Sequence, residues 1–229
     1  MTNTARRPDE DGSPGAVRMR GRPKARPDAQ ERQRIVVAAR ELFLEAGYGG
    51  TRMDEVAARC GVSKRTLYRL FPAKTDLFHA MVADHRRSML ALPRREDEDL
   101  PLADALAAIF RLDDEAAQAA ERLAFIRLAL VDSDRFSEIG EAIVREGAEP
   151  ARQLLGAWLA GQQRRGRLRD FPTGALARML MDMVLSVLVK RFPGDPLMSA
   201  EERARHARLC IDVFLSGCAT EAASSDRGS

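Results

Sequence analysis

The stretch from Thr51 to Lys74 leaves this chain little choice of local fold. Met53, Val56, Ala57 and Cys60 recur at i, i+3, i+4 and i+7, which is one apolar face of a short helix. Thr51 and Asp54 make a capping-box-like start, and Gly61 predicts a stop. Ser63 is then the N-cap of a second short helix. On that helix Leu67, Leu70 and Phe71 gather on one side, and Lys64, Arg65, Tyr68 and Arg69 on the other. The first face packs and the second is free. A free face of that composition suits the major groove, where Arg forks onto guanine, Ser63 and Thr66 contact bases or phosphates, and Tyr68 donates to a phosphate. The pattern predicts a helix-turn-helix. A merely solvated cationic face is the plainer reading of each residue taken singly, and Tyr68 reads equally as a packing residue with its hydroxyl at the rim.

The run Gly61-Val62-Ser63-Lys64-Arg65-Thr66-Leu67-Tyr68-Arg69-Leu70-Phe71, followed by Lys74 and Leu77, resembles the DNA-binding signature of TetR/AcrR-type transcriptional repressors. The resemblance begins upstream, in the helix ending Ala38-Ala39-Arg40-Glu41-Leu42-Phe43-Leu44-Glu45-Ala46-Gly47-Tyr48. It implies that Thr51 and Lys74 hold phosphates, that Lys64, Arg65, Thr66 and Arg69 lie toward bases, and that Tyr68 touches the DNA backbone.

Charge follows the motif. Residues 16 to 79 carry 14 Lys/Arg against 7 Asp/Glu, whereas residues 80 to 229 carry 21 against 24. With 45% hydrophobic and only 5% aromatic residues in a chain rich in Ala, Leu, Arg and Glu, the expected class is all-α. The expected architecture is an amino-terminal three-helix DNA-binding head on a larger helical ligand-binding and dimerisation domain. The expected divisions are a basic disordered arm over 1–27, the helix-turn-helix domain over 28–75, an effector-binding and dimerisation domain over 76–220, and a disordered tail over 221–229. In the arm, Arg18, Arg20, Arg22, Lys24 and Arg26 alternate with small residues and prolines. Gly21-Arg22-Pro23 resembles the core of an AT-hook, which would put Arg22 in the minor groove; a solubilising tail is the alternative. The chain shows no amino-terminal apolar stretch, and the greasy run from Met183 to Val189 is too short to span a bilayer, so a cytoplasmic protein without membrane contact is expected.

Cys60, Cys210 and Cys218 do not suggest a disulfide framework. Cys60 reads as a small buried hydrophobe, with a redox sensor as the alternative. His206 and Cys210 share a helix face but lack an evident third ligand, so no metal is expected. Nor is a cofactor: Gly47 and Gly49-Gly50 form a turn and not a phosphate loop.

Asp28 is the expected cap of a first helix whose packing stripe is Ile35, Ala38, Ala39, Leu42, Phe43 and Ala46. Lys74 opens a fourth helix with Leu77, Phe78, Met81, Val82 and Met89 on one side. After the acidic stretch Pro93 to Pro101, helical segments are expected at about 101–117, 118–132, 135–165, 173–191 and 200–218. Glu121-Arg122-Leu123 with Phe125, Leu128, Phe136 and the Gly166-Arg167-Leu168 turn is similar to the carboxy-terminal domain of the AefR-like subgroup. The family resemblance implies a homodimer formed through 173–191 and 200–218. It also implies double-stranded operator DNA as a partner, and release of that DNA by an unidentified small-molecule effector. Phe110, Phe125, Trp158, Met179 and Met183 are candidates to line the effector cavity, each also readable as core, and an uncharged or amphiphilic effector fits them. An enzyme would need a nucleophile with a base, a metal triad or a cofactor loop, and none is seen. The rival is a ligand-independent dimeric DNA-binding or architectural protein.

Overall fold

In the computed structural model, which describes residues 28–95, 98–188 and 198–220, the chain is a succession of helices. The only β pairing among the described residues is a single bridge between Leu168 and Ala219. The basic arm with Arg22 and the tail at 221–229 lie outside the described residues.

Four helices make the amino-terminal head: α1 (Asp28–Gly50), α2 (Met53–Cys60), α3 (Lys64–Leu70) and α4 (Lys74–Met89). The stripe on α1 buries Ile35, Val36, Ala39, Leu42 and Phe43. Ala46, which the spacing put on that stripe, is exposed instead. The helix is broken at Gly47 (φ 71°, ψ 172°), a conformation that is strained for a residue with a Cβ, and the chain turns Tyr48 into the core in its place. The Asp28 carboxylate, at the first residue of α1, is held by Arg69. The α2 cap also falls one residue later than expected. Arg52 is the N-cap, and its backbone N–H is taken by the Glu55 carboxylate at 3.3 Å. Thr51 is left free to turn inward.

Seven helical segments and a short 3-10 turn follow among the described residues. The seven are α5 (Leu102–Ile109), α6 (Ala116–Ser133), α7 (Ser137–Ala142), a π turn over Ile143–Ala148, α8 (Glu149–Arg164), α9 (Thr173–Leu185) and α10 (Ala200–Cys218). The expected helix at 101–117 ends early because Arg111 takes φ 55°, and the Arg111 and Leu112 amides close back on Ala108 and Ala107. The expected helix at 135–165 is present but is interrupted by the π turn. The one at 173–191 passes into a short 3-10 turn over Ser186–Leu188, beyond which the chain is not described until residue 198.

Two hydrophobic cores result. The first joins α1 to α4 with Phe125 and Ala129 of α6 and Ile139 and Ala142 of α7, so the head is not closed off at residue 75. It is aromatic: Phe43, Phe78 and Phe125 are in series, with centroids 5.9 Å apart at each step. Burying each such ring stabilises the fold by about 2–3 kcal/mol. The second core is mostly aliphatic, with Phe110 and Phe214 set apart among Leu, Ile and Ala side chains, and draws on α5, α8, α9 and α10.

Candidate nucleic-acid interface and effector cavity

The helix-turn-helix is held from behind by α1. Gly61 closes α2 in the left-handed conformation (φ 61°), and Ser63 Oγ accepts from the Thr66 amide at 3.0 Å to start α3. Arg34 donates to the Cys60 carbonyl at 2.6 Å, and Arg32 donates to the Leu70 carbonyl. Two α1 arginines thus satisfy the carboxyl ends of α2 and α3, where positive charge is favoured. Leu67, Leu70 and Phe71 are buried beneath α3.

The opposite face of α3 is open. Lys64, Arg65, Tyr68 and Arg69 are exposed and Thr66 is half-buried. Tyr68 stands 45% exposed, which removes it from the core. Lys64 Nζ lies 2.7 Å from Asp54, which raises the lysine pKa, and Arg69 grips Asp28 through two bonds of 2.6 and 3.0 Å, which lowers the aspartate pKa. Arg65 has neither ion pair nor hydrogen bond among the described residues. Three more of the expected DNA contacts are engaged in hydrogen bonds within the protein. Thr51 is buried and donates its hydroxyl to the Gly47 carbonyl at 2.8 Å. Lys74 Nζ donates to the carbonyls of Tyr48 and Thr51 at 2.7 and 3.2 Å and lies 4.3 Å from the Tyr48 ring centroid, and burial lowers its pKa. The Ser63 hydroxyl is shared with Thr66 Oγ1 at 2.8 Å. Thr51 and Lys74 brace the junction of α1, α2 and α4 rather than projecting from it.

Cys60 is buried beneath this interface, and desolvation raises its thiol pKa, so the small-hydrophobe reading fits it better than the sensor reading. His206 Nε2 faces the Met183 carbonyl at 3.0 Å and Cys210 Sγ at 3.3 Å. Among the described residues no cluster of three metal-ligating side chains forms.

Behind the head a cavity of about 210 Å³ opens between α4, α6, the π turn, α8 and α9. Its wall takes Val82, Phe125 and Ala129 from the first core, and Leu90, Ala151 and Met181 from the second, so it lies on the seam between them. Of the expected cavity residues, Phe125 lines it. Phe110 lines an adjoining cleft of about 290 Å³, with Arg111, Arg122 and Arg203 on its wall. Trp158 faces a separate groove beside Leu92 and Pro93. Met183 packs on the second core, and Met179 is 56% exposed on the outer face of α9. Two residues that sequence reasoning missed are on the cavity wall, His85 and Arg86. A polar residue interrupting the stripe Phe78, Met81, Val82, Met89 was the available signal for His85.

His85 is 5% exposed and its ring centroid lies 4.7 Å from that of Phe125. Burial, with Arg40 adding, lowers its pKa to about 4, so the ring is neutral near pH 7. Ring contacts continue from Phe125 to Phe78, from Phe78 to Tyr48 (5.4 Å), and from Tyr48 to the Lys74 ammonium. The cavity wall and the rear of the DNA-binding face are therefore parts of one packed series.

A helix-turn-helix with an open cationic face, carried on an all-helical body, defines a DNA-binding transcription regulator. Residues 35–81 match the bacterial regulatory proteins of the tetR family, and residues 104–217 match the carboxy-terminal domain of AefR-like transcriptional repressors. The chain belongs to the TetR family of transcriptional regulators, a family of regulators and not of enzymes. It is 38% identical over 85 residues to the transcriptional activator FasR of Mycolicibacterium smegmatis, a match spanning 37% of either chain. It is 26% identical over 178 residues to the regulator UidR of Escherichia coli K12, covering 77% of this chain and 85% of UidR. A crystal structure of a TetR-family regulator from Mesorhizobium loti superposes with a TM-score of 0.66 at 26% identity, covering 86% of this chain and all of that one. No helix among the described residues is long and apolar enough to cross a membrane.

Proposed function

We propose that this regulator is a repressor that holds a pseudo-palindromic operator as a homodimer and lets go when a small molecule fills the seam cavity. The cavity's position is the observation that carries this reading. Its wall includes the carboxyl half of α4, whose amino end is fastened through Lys74 to the turn between α1 and α2. A ligand that prefers one arrangement of the two cores then shifts the head, and operator and ligand weaken each other's binding by the same factor. The AefR-like match covers the body and supports repression, although the relative matched over 85 residues is named an activator.

On the DNA side, Arg65 is the base reader, because its guanidinium is uncommitted and forks onto guanine. Lys64, Arg69, Thr66, Ser63 and Tyr68 position α3 along the groove, and Thr51 and Lys74 act through the junction they brace. The second copy docks on α9 and α10. Met179, Leu209 and Val213 stand 56%, 60% and 59% exposed there, an apolar set that a twofold partner covers.

The test is binding of the purified protein to the DNA flanking its own gene, beside scrambled DNA, at several salt concentrations. A preference of about 10³-fold or more at one pseudo-palindrome supports the specific regulator. Equal affinity for scrambled DNA, with a steep salt dependence, favours a ligand-independent architectural protein.

A further inference from the structure

The cleft beside the seam cavity differs from it in charge. Three arginines, Arg111, Arg122 and Arg203, stand on its wall against one acid, Asp114, a net charge of +2, and the rest of the wall is apolar. Arg122 Nη1 and Arg111 Nη1 lie 2.7 and 3.9 Å from the same Asp114 oxygen, so two guanidiniums converge on a single carboxylate while their side chains stay partly exposed. Arg203 donates to the Met198 carbonyl at 2.5 Å and meets no carboxylate among the described residues. Burial and the charge of Arg127 lower its pKa, which marks a place where cations crowd and water is thinned.

The backbone adds to this field. Ala116 and Ala200, the first residues of α6 and α10, are both on the wall, so the positive ends of two long helices border the cleft. Ser199 and Glu202 cap α10, whereas no side chain caps α6. Arg111 has φ 55°, the left-handed conformation that glycine takes without strain at a helix end. A long cation is kept where glycine is the unstrained residue.

We propose that this cleft binds an amphiphilic dianion, a short apolar body on a compact doubly charged oxyanion head such as a phosphate monoester, with the head among Arg111, Arg122 and Arg203 and the body against Phe110 and Leu123. A head of two negative charges offsets the +2 of the wall; a single charge leaves one guanidinium unmatched, and a neutral ligand takes water from two. Phosphate oxygens accept the planar guanidinium forks in pairs and point in several directions, which lets arginines from α6, α10 and the end of α5 share one head group. The volume of about 290 Å³ is at the small end for a ligand site, so the body is short. The cleft borders the seam cavity at Met89 and Leu185, and a ligand here leaves that cavity free.

The experiment titrates the full chain near pH 8, where an alkyl phosphate carries two charges, with n-hexyl phosphate, hexanoate and n-hexanol by calorimetry, and repeats the series with Arg203→Gln and Arg111→Gly. Hexyl phosphate is expected to bind about tenfold or more tightly than hexanoate, and hexanoate more tightly than hexanol. Each variant weakens hexyl phosphate about tenfold and leaves hexanol within about twofold. Arg111→Gly also holds the thermal midpoint, because it takes a Cβ out of a left-handed position, so its lost binding is not lost folding. Equal affinity for phosphate and carboxylate overturns the doubly charged head, and equal affinity for all three ligands, or no binding, overturns the site. A phosphate preference unchanged in both variants overturns it as well, and its loss in Arg65→Ala instead places the phosphate on the open face of α3.

Discussion

The head and the body are built to different tolerances. In the head the first core is a set of aromatic rings in direct contact, and every helix end near α3 is tied to a named donor or acceptor. In the body the second core is mostly aliphatic, its Phe110 and Phe214 forming no ring pair among the described residues, and a cavity and a cleft meet where Met89 and Leu185 border both. A surface that reads bases must be held rigidly, since a small displacement of α3 misplaces every contact. A surface that receives a ligand must leave space and have a second arrangement within reach. One protein contains both because α4 belongs to the two regions at once.

The strongest way to break this contrast is to open the ring series. Phe78→Ala is expected to cost about 3–5 kcal/mol, read as a fall in thermal midpoint, and to weaken operator binding beyond the loss of folded protein. A smaller cost with operator affinity intact would mean the rings are filler. Next comes the seam. His85 has its pKa lowered from 6.5 to about 4, so the unfolded chain takes up a proton first as the pH falls. The stability it contributes is full above pH 6.5 and is lost as the pH drops toward 4, up to about 3 kcal/mol. Denaturant titrations across that range should show the slope in the native chain and a shallower one in His85→Phe. An unchanged slope in the variant would place the titration elsewhere.

The tie between α6 and the break in α1 ranks third. Asp132 accepts from the Tyr48 amide at 2.8 Å in a buried setting, so Asp132→Ala leaves that donor unpaired at a cost of about 1–3 kcal/mol, read in urea midpoints. Arg65→Ala is expected to leave stability alone and to weaken operator binding by about 1–3 kcal/mol, with relaxed preference at one base pair. Equal losses on operator and scrambled DNA would remove Arg65 from base reading. At the bottom lies Arg59, exposed and paired with Glu45; its replacement by alanine should leave the thermal midpoint unmoved.

The same contrast explains what could be read from the residues alone. The helix-turn-helix was legible because its determinants are neighbours in sequence: Val56 and Cys60 on one face, Gly61 at the stop and Ser63 at the cap. Even there the α2 cap slipped by a residue, since Arg52 and Glu55 compete locally with Thr51 and Asp54, and only the fold shows that Thr51 is wanted inside. The cavity was not legible. It gathers residues from Val82 to Leu185, and no local pattern announces which of many apolar side chains face a gap rather than a neighbour. Met179 belongs to the broad apolar run of α9, which suits either cavity lining or core, yet the helix turns it outward. The end of α5 at Arg111 has no glycine to mark it, and the π turn has no composition of its own.

The coupling of the seam to the DNA-binding face is tested most directly by filling the cavity from within. Ala151 on α8 borders it, so Ala151→Phe places a ring there without touching α1, α2 or α3. The measurement is the dissociation constant for the operator, with scrambled DNA and the thermal midpoint measured alongside, and dye exclusion confirming that the cavity is occupied. The account predicts that the operator is bound about tenfold or more weakly while scrambled DNA and the midpoint hold steady. Native operator affinity in a variant whose cavity is demonstrably filled would contradict it.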